Sequence, residues 1–415
     1  MGLSRNCISS VNRALDMVVV GLGSSPGEPG CLLRMADRNR GLLGMVTNVT
    51  FNGKFLGAKS TGVHRVASEL IAASDKYFSN NVDPSLKFSI MLRDNVKVPS
   101  YSKIETLREI PAVRWMHRIA WEQFYLPLVC RKNVILNLCN IGPFAPRSSI
   151  TMIHDAQVYS TPASYSRAFR IWYKTIMPLI GRRHKIILTV SEYSKKEIEQ
   201  YGIAKGQKIR VIHNGCDHIL RIKPDLDVVA RLGLTQSNYV VALANVQKHK
   251  NIEVLLKAFG SPALQGRDLV LFGPATKSDF EQLGHRIPSN VKLAGRLTDE
   301  EVTGLMTCAG ALAFPSLTEG FGLPPLEAMG LGCPTVVAPC GALPEVCGDA
   351  ALYADPYSAD DWAEKLQRVL EDAQLRQDLR EKGLVQAAKF TWEKAARQMI
   401  EAIQSVSTNT RNAGG

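Results

Sequence analysis

The chain has 415 residues, 45% hydrophobic and 21% charged, which suits a soluble globular protein of two domains of about 150–200 residues each rather than one core. Its net charge of +12 is unevenly spread: residues 1–217 carry +15 and residues 218–415 carry −3, so the first half should attract phosphates, anionic lipid head groups or nucleic acid, or else be a solvated basic surface. Nine scattered cysteines without a C-x-x-C pair, and no run of 18 apolar residues, argue against a disulfide framework, structural zinc and a bilayer-spanning helix, and for a reducing, cytoplasmic setting.

Residues 1–44 read as a poorly ordered tail. "SSPGEPG" (Ser24–Gly30) blocks regular structure, and "MVVVGLG" (Met17–Gly23) is too short and glycine-broken for a signal-peptide core. "GLGSSPG" (Gly21–Gly27) approaches the dinucleotide fingerprint, but Pro26 stands at the third glycine position and no helix follows. The first strand opens at Met45 in "MVTNVTF"; the sequon Asn48-Val49-Thr50 falls inside it and is read as unglycosylated. Buried parallel strands follow at "FSIML" (Phe88–Leu92), "NVILNL" (Asn133–Leu138), "ITMIH" (Ile150–His154), "KIILTV" (Lys185–Val190) and "KIRVI" (Lys208–Ile212). Amphipathic helices such as "GVHRVASELIAAS" (Gly62–Ser74) and "EYSKKEIEQYG" (Glu192–Gly202) separate them. Strand–helix alternation predicts a doubly wound α/β domain over 45–217. The segment "VRWMHRIAWEQFYLPLVCRK" (Val113–Lys132) reads as a core helix with basic flanks, or as basic aromatic surface at a membrane.

"NGCDHILRIKPDLD" (Asn214–Asp227) is a short polar join, after which the alternation restarts. Strands at "NYVVALAN" (Asn238–Asn245), "DLVLFG" (Asp268–Gly273), "VKLAG" (Val291–Gly295), "ALAFP" (Ala311–Pro315) and "PTVVAP" (Pro334–Pro339) predict a second Rossmann-like domain over 218–390. The remainder, 391–415, reads as a helix (Thr391–Val406) able to pack back on the first domain, then a frayed tail.

The richest stretch is "PSLTEGFGLPPLEAMGLGCPTVV" (Pro315–Val337). Glu319 falls in a loop at the carboxyl edge of a strand, where open α/β sheets bind ligands. Gly320 and Gly322 allow close backbone approach. Pro324 and Pro325 suit the first turn of a helix whose free N–H groups face a ligand, and Glu327 lies one turn inside, pointing back toward that end. Capping explains either glutamate singly, but not both together with the paired glycines and prolines. Two carboxylates that accept hydroxyl hydrogen bonds fit a diol or a sugar; glycine-rich amides fit a phosphate.

"EGFGLPPLEAMGLGCPTV" resembles the E-x7-E signature of retaining glycosyltransferases of the GT-B fold, specifically glycosyltransferase family four. "GALPEVCGDAALYADP" (Gly341–Pro356), "VKLAGRLTDEEVTGLM" (Val291–Met306), "IHDAQVYSTP" (Ile153–Pro162), "ILTVSEYSKKEI" (Ile187–Ile198) and "RVIHNGCD" (Arg210–Asp217) resemble the family at matching order. The resemblance implies two tandem Rossmann-like domains with a cleft between them, the second binding a nucleotide-diphospho-sugar. Glu327 would hold ribose hydroxyls and Glu319 donor-sugar hydroxyls. The amides of Phe321, Gly322 and Leu323, with Gly320, would meet sugar and diphosphate. Lys250 in "NVQKHKN" would bind diphosphate, Gly62 would admit phosphate and acceptor, and His154 would lie near the donor sugar. Many members carry Arg where Asn245 stands; Asn donates hydrogen bonds without charge, and Lys248 is the candidate compensator.

The same resemblance implies a metal-independent hexosyltransferase with no cofactor. Its first candidate donor is GDP-mannose, and its acceptor a glycan or a polyprenyl-diphosphate-linked glycan in surface polysaccharide assembly. A peripheral contact with anionic membrane through the basic half goes with it. The alternative is a sugar-nucleotide-binding partner protein without turnover. A nucleic-acid binder finds no motif, and Asp225-Leu226-Asp227 reads as a solvated loop rather than a metal site. His213 reads as a linker residue, and His64 divides between a phosphate neighbour and plain surface.

Overall fold

The computed structural model describes residues 46–412, apart from 59, 60, 82, 94, 95 and 97, with the backbone alone for 407–412. The tail read over 1–44, with its near-fingerprint, lies outside the described residues. Seven strands form the first sheet: β1 Thr47–Asn52, β2 Leu86–Leu92, β3 Ile104–Arg108, β4 Val134–Asn137, β5 Ser149–Met152, β6 Ile186–Thr189 and β7 Ile209–Val211. Six form the second: β8 Tyr239–Leu243, β9 Asp268–Phe272, β10 Val291–Gly295, β11 Ala311–Phe314, β12 Thr335–Val337 and β13 Leu352–Tyr353. The orders are β3-β2-β1-β4-β5-β6-β7 and β10-β9-β8-β11-β12-β13, with parallel pairing throughout. Helices on both faces explain why central strands such as β4, β5 and β6 are buried at every position.

Each sheet reverses its winding direction once, between β1 and β4 and between β8 and β11. At such a switch the following loops diverge and leave a crevice at the carboxyl ends of the strands. Both crevices face the seam between the lobes, so the fold itself sets two binding edges against each other.

Two segments differ from the sequence reading. Val113–Lys132 is not one helix. A 3-10 turn at Pro111–Val113, a short helix at Arg118–Ala120, a π-helical turn at Trp121–Tyr125 and a last turn at Leu126–Val129 replace it. Pro127 has no N–H to return to the Gln123 carbonyl, and the backbone before it widens into the i→i+5 pattern. Trp121 and Tyr125 turn into the core, while Trp115 is 71% exposed and Phe124 67%. At the other end, the last helix runs as Trp392–Asn412, past the point where fraying was expected.

That last helix ties the lobes. Its start is pinned at the join: Trp392 donates its backbone N–H to Asp217 Oδ1 (2.7 Å) and its indole N–H to His218 Nδ1 (3.0 Å). A Cβ at Gly215 would stand 2.3 Å from Trp392 N, so only glycine lets the two crossing segments touch there. The helix then lies along Gly62–Asn80 of the first lobe, burying Met399, Ile400 and Ile403. Gln404 reaches Asp83 Oδ2 at 2.9 Å.

Candidate active site

The loops after β8 and β11 meet across the second switch crevice. Asn251 adopts the left-handed conformation (φ 54°) that asparagine tolerates, and its amide donates to the Pro315 and Pro356 carbonyls at 3.2 and 2.7 Å. Leu317 N–H donates to the His249 carbonyl at 2.7 Å. These bonds fix Lys250 beside Glu319, with Nζ 2.6 Å from Oε1 and both side chains less than a fifth exposed. The helix Leu323–Gly330 starts immediately after, at Gly322 (φ 100°), where a Cβ would also lie 2.6 Å from Leu343. Its first turn carries Pro324 and Pro325, which bring no N–H that must be satisfied.

Glu327 stands on the next turn. His218 Nε2 lies 3.0 Å from its Oε1, off the line of a good hydrogen bond, so the pair is an electrostatic contact first. Because His218 Nδ1 accepts the Trp392 indole bond, Nε2 is the nitrogen that carries a proton, beside Glu327 Oε1 but not aimed along it. Arg65, on the first turn of Gly62–Asn80, feels Glu327 from across the seam and bonds Asp299 at 2.6 and 2.9 Å. Gly62 opens that helix after the Thr61 cap, and a Cβ there would meet nothing within 4 Å.

The first lobe supplies the facing wall. His154 follows β5, donates Nε2–H to the Leu138 carbonyl at 2.8 Å, and is pushed down to about 4 by burial, so it is neutral at physiological pH. Asp155 beside it is pushed upward, by burial first and further by Glu319, against its bond from Gln157 N–H and the charge of Lys250. The seam is close-packed: Ser191 Oγ donates to the Gly320 carbonyl at 2.6 Å, and Ser194 Oγ reaches both the Gly320 and His154 carbonyls at 3.0 and 2.9 Å. Gln157 Nε2 donates to the Thr318 carbonyl at 3.3 Å. Glu345 accepts from Glu192 N, Tyr193 N and His213 Nε2 at 2.9, 3.1 and 2.8 Å, capping a first-lobe helix from the second lobe. Surface cavities of about 780 and 600 Å³ exist elsewhere, one beside Ile252–Phe259 and one around Val98–Arg108, and neither is lined by a residue of the seam.

Glu319, Lys250, Gly320 and His154 therefore come together, and Glu327 and Gly62 lie along the same seam. Asn245 does something narrower. Its Oδ1 accepts Gln247 N–H at 2.9 Å and its Nδ2 donates to Gln247 Oε1 at 3.3 Å, so it staples its own loop. Lys248 is on the exposed side of that turn. The Phe321 ring packs inward against His213 and Phe390, at 6.2 and 5.8 Å, leaving only its backbone for a ligand. Sequence reading passed over Arg65, Asp155, His218 and Glu345. The signal available for Arg65 and His218 was adjacency, to Gly62 and to the "NGCD" join.

Two results test this geometry. A Cβ at Gly320 would stand 2.5 Å from the His154 carbonyl, so Gly320→Ala must force the lobes apart. It should cost about 1–3 kcal/mol in a urea melt and lower activity below the melting range; wild-type values for both would mean the seam is not tight there. The second concerns pH. His154, His184 and His249 are each lowered by burial from 6.5 to about 4. Between those values the unfolded chain takes up three protons that the folded chain refuses. Asp155 and Glu197, both raised by burial, keep protons in the folded chain and offset at most two of them. Stability should fall as pH drops through this window, by about 1.4 kcal/mol per pH unit for each uncompensated proton. Urea melts at about pH 7 and about pH 5 check the sign.

Among the described residues no group of three His, Cys, Asp or Glu side chains is placed to hold a metal ion, and no helix is long and apolar enough to cross a membrane. A family model described as "Glycosyl transferases group 1" matches residues 229–386, and one described as "Glycosyltransferase Family 4" matches residues 142–219. The chain is 32% identical over 272 residues to O-antigen chain mannosyltransferase B of Escherichia coli, covering 63% of this chain and 71% of that protein. It is 30% identical over 241 residues to the serotype-specific mannosyltransferase WbdA of Escherichia coli, covering 53% of this chain and 28% of that longer protein. Sucrose-phosphate synthase from Thermosynechococcus elongatus shares the fold at a TM-score of 0.66 and 18% identity, over 88% of this chain and 100% of that one. HepE of Anabaena, solved with UDP and glucose, does so at 0.63 and 16%, over 87% and 100%. These structural likenesses establish the two-lobed GT-B fold.

Proposed function

The chain belongs to the group 1 and family four glycosyltransferases, and on that premise we propose that it moves a hexose from a nucleotide-diphospho-sugar to a glycan or lipid-linked acceptor in surface polysaccharide assembly. Mannose from GDP-mannose is the first candidate donor, because the relatives above are mannosyltransferases by name. The observation that carries the reading is the Lys250–Glu319 pair, set across the second switch crevice at the start of a helix and facing the first lobe.

Breaking a sugar–diphosphate bond puts negative charge on the leaving phosphate. Lys250 and the backbone N–H groups of Phe321, Gly322 and Leu323 would stabilise that charge. The diphosphate would draw Lys250 from Glu319, leaving the carboxylate to accept donor-sugar hydroxyls. Glu327 would hold the ribose, held itself by His218, and neutral His154 would present its free Nδ1 to the sugar as an acceptor. The same-face attack inferred for retaining enzymes needs the acceptor oxygen beside the departing phosphate, which the closed seam favours by excluding water.

The test is turnover. Purified protein incubated with GDP-mannose, UDP-glucose or ADP-glucose and a polyprenyl-diphosphate-linked glycan should release nucleoside diphosphate from one donor, in an acceptor-dependent manner. A donor that raises the melting temperature without turnover would favour the sugar-nucleotide-binding partner; no response to any donor would sink both. The reading extends to a cytoplasmic membrane face. Trp115, Phe124 and Leu128 are exposed at 71, 67 and 44% beside Arg114, Arg118, Arg131 and Lys132, a mixture suited to an anionic interface.

A further inference from the structure

The donor reading leaves one feature of the seam without a use. Phe169 and Tyr173 are four apart and share one face of the helix Arg167–Arg183, and Tyr165, in extended backbone just before the Ser166 cap, lays its ring on Phe169. Their rings form a continuous wall. Tyr165 and Phe169 have centroids 5.3 Å apart and planes within 8°; Phe169 and Tyr173 are 4.1 Å apart at 23°. The stripe continues the helix's core face, which buries Ile176, Met177 and Ile180 beyond Tyr173, out to where that face leaves the core. Phe169 stays 38% exposed in the middle of the wall.

Both ends of the wall are polar, and both lead to a sheet switch. At one end the Tyr165 hydroxyl donates to Gln157 Oε1 at 3.1 Å, and Gln157 Nε2 donates to the Thr318 carbonyl, next to Glu319. Tyr165 feels the charges of Asp155 and Glu319. At the other end the Tyr173 phenol is raised by burial first, then by Asp155 and then by Glu122. Glu122 is buried on the π-helical turn, where it holds the Lys54 ammonium and accepts Asn52 Nδ2–H at 2.9 Å. Asn52 closes β1 and in turn donates to Asn137 Oδ1, at the end of β4, at 2.9 Å. The wall therefore starts beside the donor-sugar carboxylate, and its far ring lies within electrostatic reach of the Asn52–Glu122 cluster at the switch of the first sheet.

We propose that this wall is the acceptor subsite and that its ligand is a neutral oligosaccharide of at least two pyranose rings. A pyranose has an apolar C–H face that packs on aromatic carbon, and a rim of hydroxyls that donate to carboxylates and phenols. The wall offers both, with apolar carbon in the middle and acceptors at its ends. The middle of the wall is aromatic carbon and not a cation site: Lys54 at the far end is already neutralised by Glu122, and Arg167, Arg170 and Lys174 lie about 100–160° around the helix from Phe169. The phosphate of a lipid-linked acceptor thus lies beyond the wall and the glycan end lies on it. The proposal rests on the donor site being where the Lys250–Glu319 pair is.

The test is binding of methyl α-mannoside and α-linked mannotriose, followed by saturation-transfer NMR and titration calorimetry. The wild type should bind the trisaccharide at least about tenfold more tightly than the monosaccharide, since a second ring reaches the aromatic carbon. Phe169→Ala should reduce that ratio to about twofold or less, and Phe169→Tyr should restore it. The thermal shift given by GDP-mannose or UDP-glucose should be the same in all three proteins. A length preference that survives Phe169→Ala overturns the proposal, as does a wild type that binds neither saccharide. Displacement of mannotriose by decyl phosphate but not by mannobiose would make the wall a hydrocarbon groove and overturn it too. Loss of the donor shift in the wild type is a separate result, and refutes the donor reading instead.

Discussion

Lys250→Met should lower kcat by roughly 10²–10³-fold at saturating donor, the loss seen when a preorganised group facing transition-state charge is removed. The ammonium is held before any ligand arrives. Asn251 pins the loop to Pro315 and Pro356, and the His249 carbonyl holds Leu317, so Lys250 has little freedom to reorganise when phosphate charge develops. Asn245 is occupied with Gln247 and Lys248 points outward, so no second cation of this loop stands ready to substitute. Methionine keeps the length and apolar stem of lysine, and leaves Glu319 without its cation. Partial rescue by Lys250→Arg would follow if charge alone matters. Donor KM should rise less than kcat falls, because the charge on the bridging oxygen is largest in the transition state. A variant with unchanged kcat and a raised KM would recast Lys250 as a ground-state binder; one with both unchanged would remove it from the site.

How far this was legible in the amino-acid order depends on the range of each signal. The loop and helix around Glu319 are written in glycines and prolines, whose backbone demands are local: Gly322 at φ 100° and the prolines of the first turn are where the spacing puts them. Buried central strands announce themselves by apolar runs. Two of the four outer strands do not: β3, "IETLR", is largely exposed, and β13 has two residues, too little for a period to register. The helix Ala373–Ala387 also escaped, because its buried face is Leu379, Gly383, Gln386 and Ala387, in which only Leu379 is large and apolar. The partners of the motif were invisible for another reason. His218 meets Glu327, Gln157 meets Thr318, and Glu345 caps the helix at Glu192 only because two lobes and a returning helix bring distant segments together. A single sequence holds no trace of such pairs.

Glu327→Ala should abolish most of the thermal stabilisation that a sugar nucleotide confers. At a donor concentration of 100 times Kd the wild type gains about 2.7 kcal/mol. If Glu327 accepts two ribose hydroxyls, each charge-assisted bond contributes about 1.5 kcal/mol at the low end. Their loss raises Kd by roughly 150-fold, and the same donor concentration then adds only about 0.3 kcal/mol. A purely structural carboxylate would behave differently. Glu327 lies against the buried His218, so its removal could loosen the join and lower the melting point of the free protein. That effect would leave the donor-induced increment intact. The increment, not the baseline, is therefore the readout. Glu327→Gln sharpens it, since the amide keeps one oxygen acceptor near His218 but carries no charge; it should recover baseline stability and only part of the increment. An alanine variant that loses baseline stability yet keeps the full increment would assign Glu327 to the join between the lobes and leave the ribose without its holder.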